Sequence, residues 1–403
     1  MDSSESNLNR SDCCMNSTRT ADKSPSSLAL ARNTTNRLLA RIFVAVACSL
    51  LISCAKTQVA GAPPHGMLAS SAPDSSVCAP SVLSHELATG ARTHPGMAWI
   101  PGGEFSMGSN NPAFPDVRPW HRVRVSGFWL DTTVVTNDQF ARFVRATNYV
   151  TVAERKPRQE DFPNAPPENL VPGSLVFTPP AHPVELNDDS QWWRYVPGAN
   201  WRHPDGPRSS IDGRGNYPVV QIAFEDARAY AKWVGKRLPT EAEFELAERG
   251  GLSCQPYAWG SEFTPRGKEM ANTYHGHFPD KSTAPHNHPT TTPVASYGAN
   301  GYGLYDMSGN VWEWTSDWYR ADYYRQLAAS GAVADNPRGP ADSYDPQEPG
   351  VKKRSVRGGS FLCTDQFCSR YEVGGRGQTE PSSSANHIGF RLVMDGAVRE
   401  SRR

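Results

Sequence analysis

The chain of 403 residues has no surplus of either charge, with Lys+Arg and Asp+Glu both at 41. Neither a nucleic-acid footprint nor an anionic-membrane surface is therefore written into its composition. It lacks any apolar run of the about 20 residues that a helix needs to cross a bilayer. No period in it supports a repeat array. Long uninterrupted helices are excluded as well, since 33 Gly and 34 Pro punctuate the whole length and both residues belong to turns. Aromatic residues, in contrast, are plentiful: 11 Trp and 14 Tyr point to a loop-rich domain held by aromatic packing. A chain this long buries an ample core without crosslinks.

The first 53 residues read as a lipoprotein-type signal and not as part of the fold. Arg32, Arg37 and Arg41 precede the apolar run Ile42 to Ser53, which has the length of a signal h-region. The run ends in Leu51-Ile52-Ser53-Cys54, which resembles a bacterial lipobox, where a peptidase cuts before a cysteine that is then lipid-modified. An ordinary cleaved signal with Cys54 incidental is the alternative. The 31 residues ahead of Arg32 make Met15 a candidate initiator. The expectation is an exported protein, periplasmic or on the cell-envelope side, anchored at Cys54. Cys13, Cys14 and Cys48 then leave with the signal, and Cys78, Cys254, Cys363 and Cys368 face an oxidising compartment.

Residues 54–93, rich in Ala, Ser, Pro and Gly, read as a flexible tether in which Cys78 is a stray thiol. An α+β domain with little regular structure and many loops is expected over 94–395, followed by a polar tail at 396–403. Short strands are expected in Met97–Gly108 and Arg122–Leu130. Three helices are expected: one from N-cap Thr136 to Arg145 with Phe140, Phe143 and Val144 on one face; one over 224–234 closed by Gly235; and one within 236–249 with Thr240 and Glu243 as a capping box. After Tyr257 only loops and short strands are expected. Cys254, with no apparent partner, reads as a buried small residue.

Cys363 and Cys368 stand five residues apart behind Arg357-Gly-Gly-Ser360. Spacing and compartment alone leave a small disulfide or a soft-metal pair open.

Several strings decide between them by resemblance. Met97–Phe105, Gly198–Pro204, Gly235–Phe244, Gly301–Trp314, Arg357–Ser360 and Gly389–Arg391 resemble, in order, the formylglycine-generating enzymes, or sulfatase-modifying factors. The resemblance implies their complex, C-type-lectin-like mixed fold. Cys363 and Cys368 match both positions of the catalytic two-cysteine branch. They are implied copper ligands: Cu+ is soft and tolerates low coordination, so two thiolates hold it and leave a place open for a substrate sulfur and O2.

Ser360 matches the family's active-site serine, as a donor to bound oxygen or a thiolate or simply as the cap of its own turn. Trp314 either walls that pocket or belongs to the core. Ser384, Asn386 and His387 fall in the segment that lines the substrate groove, with a solvated loop histidine as the plain reading of His387. Asp306, Gly309, Val311 and Glu313 match a calcium site. Asn272 and Thr273 match the start of a second, whose carboxylate position falls near His286, a poor calcium ligand. The vertebrate disulfide positions are Ala231, Glu248, Val373 and Leu392 here, so no structural crosslink is expected.

The implied activity is a copper-dependent, O2-using oxidase, likewise monomeric, that converts the cysteine of a C-x-P-x-R segment in an unfolded type I sulfatase to Cα-formylglycine. The rival is a non-catalytic lectin-like binding module of a cell-envelope complex. An iron-dependent sulfoxide synthase would need a further helical domain, for which there is no room before residue 94.

Overall fold

The computed structural model describes residues 78, 80–83, 94–160 and 166–396. The signal, Cys54 and most of the tether and tail lie outside the described residues.

Local signals set most of the elements. The strands β1 (Val82–Leu83), β2 (Met97–Ile100), β3 (Gly103–Met107), β4 (His121–Val125) and β5 (Phe128–Asp131) come first. Helix α1 (Asn137–Thr147) starts at Thr136, whose hydroxyl accepts from the Gln139 N–H while Gln139 reaches back, a reciprocal cap. Phe140, Phe143 and Val144 are its buried face. After β6 (Gly173–Phe177) and β7 (Trp193–Pro197) comes α2 (Phe224–Trp233), followed by Gly235 at φ +69. Helix α3 (Glu241–Glu248) has the Thr240/Glu243 capping box that its sequence announces. The remaining elements are β8 (Gly276–His277), β9 (Lys281–Ser282), β10 (Trp312–Trp318), α4 (Tyr323–Ala329), β11 (Ala334–Asp335), β12 (Arg354–Arg357), β13 (Arg376–Thr379), β14 (Ile388–Gly389) and β15 (Val393–Asp395). Only α4, seven residues long, departs from the expected run of loops and short strands.

The sheets are small: β1-β3-β4-β11, β13-β12-β10-β14 and β15-β5-β2, with the pairs β6-β7 and β8-β9. One apolar cluster lies beneath β2 to β5 and α3. A larger one gathers α1, α2, β6, β10 and both Cys363 and Cys368.

Two expectations fail at the same place. Cys254 is not a lone buried thiol: it is disulfide-bonded to Cys78, 176 residues away. Cys78 is correspondingly no stray thiol, and a structural crosslink exists. The nearby Val82 and Leu83 pair with Glu104 and Gly103, and the Ser81 N–H donates to Ser253 Oγ at 2.9 Å. A segment expected to be tether thus contributes an edge strand. The vertebrate disulfide positions Ala231, Glu248, Val373 and Leu392 are all buried and filled by packing.

Beneath the second sheet lies a feature hidden in the sequence. All eight residues of α3 are buried, including Glu241, Glu243, Glu245 and Glu248. The Arg376 guanidinium meets Glu241 at 2.9 Å, Arg357 meets Glu245 at 2.9 Å and Glu248 at 3.4 Å, and Arg249 meets Glu245 at 2.6 Å. Buried charges survive only when paired this closely.

Candidate active site

Arg357, the last residue of β12, is fully buried in that ionic cluster, and the chain turns immediately after it. Gly358 and Gly359 lie at φ +88 and +73. A Cβ on Gly358 would stand 2.9 Å from the Met307 carbonyl oxygen, and one on Gly359 3.0 Å from the Tyr371 nitrogen. Glycine is required here by conformation and by space together. The Gly309 N–H donates to Gly358 O at 2.7 Å and the Phe361 N–H to Asn310 O at 3.0 Å, which docks the turn on the 307–310 loop.

Ser360 organises the cysteine turn. Its carbonyl accepts from the Cys363 N–H at 2.9 Å, and its Oγ accepts from the Leu362 N–H at 3.2 Å. The side chain therefore caps the turn, the plainer of its two expected roles. Its backbone N–H points at Cys363 Sγ, 3.4 Å away. Cys368 N–H donates to Thr364 O at 2.9 Å, a single helical turn that brings the second sulfur back. The two Sγ atoms stand 3.0 Å apart, well beyond the about 2.05 Å of a disulfide bond. Both cysteines are buried, at 2% and 6% exposure. Two thiols at one point are donors for a soft ion, and among the described residues no group of three His, Cys, Asp or Glu converges anywhere.

Aromatic residues close in around the turn. Phe367 stacks on Phe278 at 4.8 Å, and Trp192 meets both edge-on. Gln366 ties them, accepting from the Phe278 N–H at 3.1 Å and donating to Gly276 O at 2.8 Å. Trp314 belongs to the core: it is fully buried, and its Nε1 donates to Ile222 O at 2.9 Å.

The expected groove residues lie along β6. Ser384 Oγ is 2.5 Å from Ser174 Oγ. Asn386 accepts from the Phe177 N–H at 3.2 Å and donates to Asp205 at 3.0 Å. His387 is buried rather than solvated, with Nδ1 unpartnered and its ring 4.7 Å from Trp193. Burial pushes the imidazole down to about 3, so it is neutral. An aromatic layer joins this cluster to the sulfurs: Trp193 meets Phe177 at 5.9 Å, Phe177 meets Tyr274 at 6.5 Å, and the Tyr274 N–H donates to Cys363 O at 2.9 Å.

Two polar residues of this cluster escape sequence reading. Asp205 lies 3.4 Å from His288 Nε2. Against the opposing pull of burial, the contact holds the Asp205 carboxyl below, and the His288 imidazole above, the ordinary value. The Gly198–Pro204 string stops one residue short of Asp205, which was the available signal.

The calcium expectations meet a mixed set of donors. Asp306 sits at φ +53 with Oδ2 accepting from the Ala295 N–H at 2.8 Å, while its buried Oδ1 has no partner. Gly309 and Val311 lie further along the same loop, buried. Both oxygens of Glu313, in contrast, are held by Arg391 at 2.7 and 2.8 Å. Asn272 stitches two loops: its carbonyl accepts from the Asn310 N–H at 2.8 Å, and its amide donates to Thr290 O and Asn310 Oδ1. Thr273 Oγ1 lies 3.5 Å from His275, and His286 sits on an exposed turn.

Comparison with known proteins agrees with this geometry. The model of the sulfatase-modifying factor enzyme 1-like domain matches residues 84–396. The chain is 45% identical over 309 residues to a Streptomyces coelicolor protein described as a formylglycine-generating enzyme, covering 75% of this chain and 90% of that one. It is 36% identical over 314 residues to a Mus musculus protein described as inactive C-alpha-formylglycine-generating enzyme 2, covering 76% and 88%. The solved structure of PvdO from Pseudomonas aeruginosa shares the fold, with a TM-score of 0.50 at 23% identity over 76% of this chain and 100% of that one.

Proposed function

This chain belongs to the sulfatase-modifying factor enzyme 1-like family, and from that premise we propose that it is an oxidoreductase that activates sulfatases by converting a cysteine to formylglycine. The observation that carries the reading is the pair of buried sulfurs 3.0 Å apart on a turn with no conformational slack.

The finer reading is that the substrate is an unfolded sulfatase segment of the form C-x-P-x-R and the oxidant is O2. Cys363 and Cys368 are the residues that would hold Cu+, and a soft ion there supplies a site for the substrate sulfur and for activating O2. The chain's own contributions are positional. The Ser360 N–H faces Cys363 Sγ and favours its thiolate form. The Phe367, Phe278 and Trp192 layer keeps bulk water from the sulfurs. The neutral His387 with Asn386 and Asp205 offers polar contacts to an extended peptide beside β6. The aldehyde forms when a Cβ hydrogen is lost, sulfur departs and water adds. Reducing O2 to water takes up more electrons than that carbon gives, so a thiol reductant must make up the difference.

For calcium we propose Asp306 with carbonyls of Gly309 and Val311, the all-oxygen donors this ion prefers. Glu313 would act through Arg391 rather than directly, and Asn272 and Thr273 serve as loop stitches. Export, with a lipid at Cys54, is supported by the Cys78–Cys254 disulfide, a bond at home in an oxidising compartment. We take the enzyme to be monomeric.

The test is incubation of the copper-loaded protein with a C-x-P-x-R peptide, air and a thiol reductant, read by mass spectrometry for the aldehyde. Product from the wild type and none from Cys363→Ser supports the reading. No product from the wild type, with copper shown to be bound, sinks it and leaves the non-catalytic binding module.

A further inference from the structure

A cavity of about 910 Å³ opens beside α2, between the end of β4 and the start of β12, and neither Cys363 nor Cys368 lines it. Its basic residues divide into two kinds. Lys236 is paired with Asp131 at 2.5 Å, and Arg237 with Glu243 and Asp395 at 2.7 and 2.5 Å. Arg228, Lys232, Arg338 and Arg354 line the same space with no ion-pair partner among the described residues.

Lys232 and Arg338 alone would be an ordinary solvated face. Arg354 is different, because it is built in. Its guanidinium lies 3.6 Å from the Trp318 ring and 4.3 Å from Phe224, its Nη1 donates to Ser316 O, and its Nε is buried without a partner. The Arg228 guanidinium sits 5.9 Å from the same Phe224 ring. Two like charges therefore share one aromatic wall. Burial first, and then Arg228, pull Arg354 down to about 10. The acid facing it, Asp317, is pushed up to about 8 by burial and then by Glu241, so it offers little negative charge at neutral pH. The basic wall continues around α2, where Arg228 and Lys232 also line a second cavity of about 840 Å³ with Lys156.

We propose that the first cavity binds a sulfate or phosphate ester, with the oxyanion between Arg228 and Arg354 and the organic part in the remaining space. Planar guanidinium groups suit a tetrahedral oxyanion, which they grip through paired N–H groups. A bare oxyanion would leave most of the volume unused, whereas the cavity lies within the about 300–1,000 Å³ of small-molecule sites.

The experiment is isothermal titration at low ionic strength of the wild type and of Cys363→Ser with four probes: inorganic sulfate, inorganic phosphate, 4-nitrophenyl sulfate and 4-nitrophenyl phosphate. Saturable one-to-one binding is expected, tighter for an ester than for its free anion and equal in the two proteins, so the result is independent of thiol chemistry. Arg228→Gln and Arg354→Gln should each weaken it about tenfold, the loss of one charge-assisted hydrogen bond. Lys352→Gln, on an exposed strand approach outside the cavity, should leave it unchanged. Arg228 is exposed, so its variant decides the matter even if Arg354→Gln does not fold. Absence of saturable binding by every probe, or unchanged affinity in Arg228→Gln, overturns the site. Free anions binding as tightly as the esters overturns the assignment to esters.

Discussion

Replacing Cys254 by serine should cost this protein several kcal/mol, because the bond it removes closes a very long loop. The bridge spans 176 residues, and in the chain-entropy treatment a loop of that size lowers the entropy of the unfolded chain enough to stabilise the fold by about 5 kcal/mol. The figure is an upper bound, since residual structure in the unfolded chain reduces it. With an unfolding entropy of about 2 cal/mol/K per residue over a domain of about 300 residues, the loss corresponds to a drop of roughly 8 °C in Tm. The native contacts at risk are few: the two residues of β1 on the edge of β3 and the Ser81–Ser253 hydrogen bonds. Most of the effect therefore comes from the unfolded state, and Cys78→Ser should equal Cys254→Ser. The assay is thermal and urea unfolding of both variants against the wild type without reductant. A thiol titration of denatured, unreduced protein from residue 55 onward, which carries Cys78, Cys254, Cys363 and Cys368, accompanies it. Four reactive thiols in the wild type, or a Tm change below about 2 °C in both variants, would refute the reasoning.

The site itself leads to further outcomes. Because His387 is held neutral, with its imidazole at about 3 against an unfolded value near 6.5, the unfolded chain takes up a proton first as pH falls. Stability should thus fall below pH 6.5, by at most about 1.4 kcal/mol per pH unit, and level off near pH 3; His387→Asn should flatten that slope in urea titrations. Gly359→Ala should cost about 1–2 kcal/mol for its left-handed φ alone, and more from the 3.0 Å approach to Tyr371. It should also lower peptide conversion more than a stability loss explains; full activity would show the turn to be forgiving. Chelation of calcium should lower Tm in the wild type and leave Asp306→Ala unaffected, whereas an equal shift in both would remove Asp306 from any such site.

The parts of the fold legible in the sequence are those encoded locally. Thr136 with Gln139, Thr240 with Glu243, and Gly235 each act within a few residues of themselves, and each does as its spacing announces. The hidden parts depend on partners far along the chain. The glutamates of α3 look like a solvent face until Arg357 and Arg376, more than a hundred residues later, arrive to bury them. Cys254 looked unpaired because its partner lies in a low-complexity stretch. His387 looked solvated because its loop is polar, yet Trp193 covers it. The cysteine pair itself was visible through the strings around it, while Asp205 and His288 were not, since each becomes meaningful only beside the other.

Arg357 is anchored to Glu245 before the cysteine turn, and Arg370 to Asp116 at 3.0 Å just after it. The segment carrying both sulfurs is thus riveted at its two ends to parts of the chain that precede it, one in α3 and one near the start of the domain. A flap hinged at one end can swing; a strip riveted at both cannot, and here each rivet would expose an unpaired buried charge on release. Whatever reaches the sulfurs must come to a rigid anvil, so fitting has to be done by the incoming peptide, which suits a partner that is still unfolded.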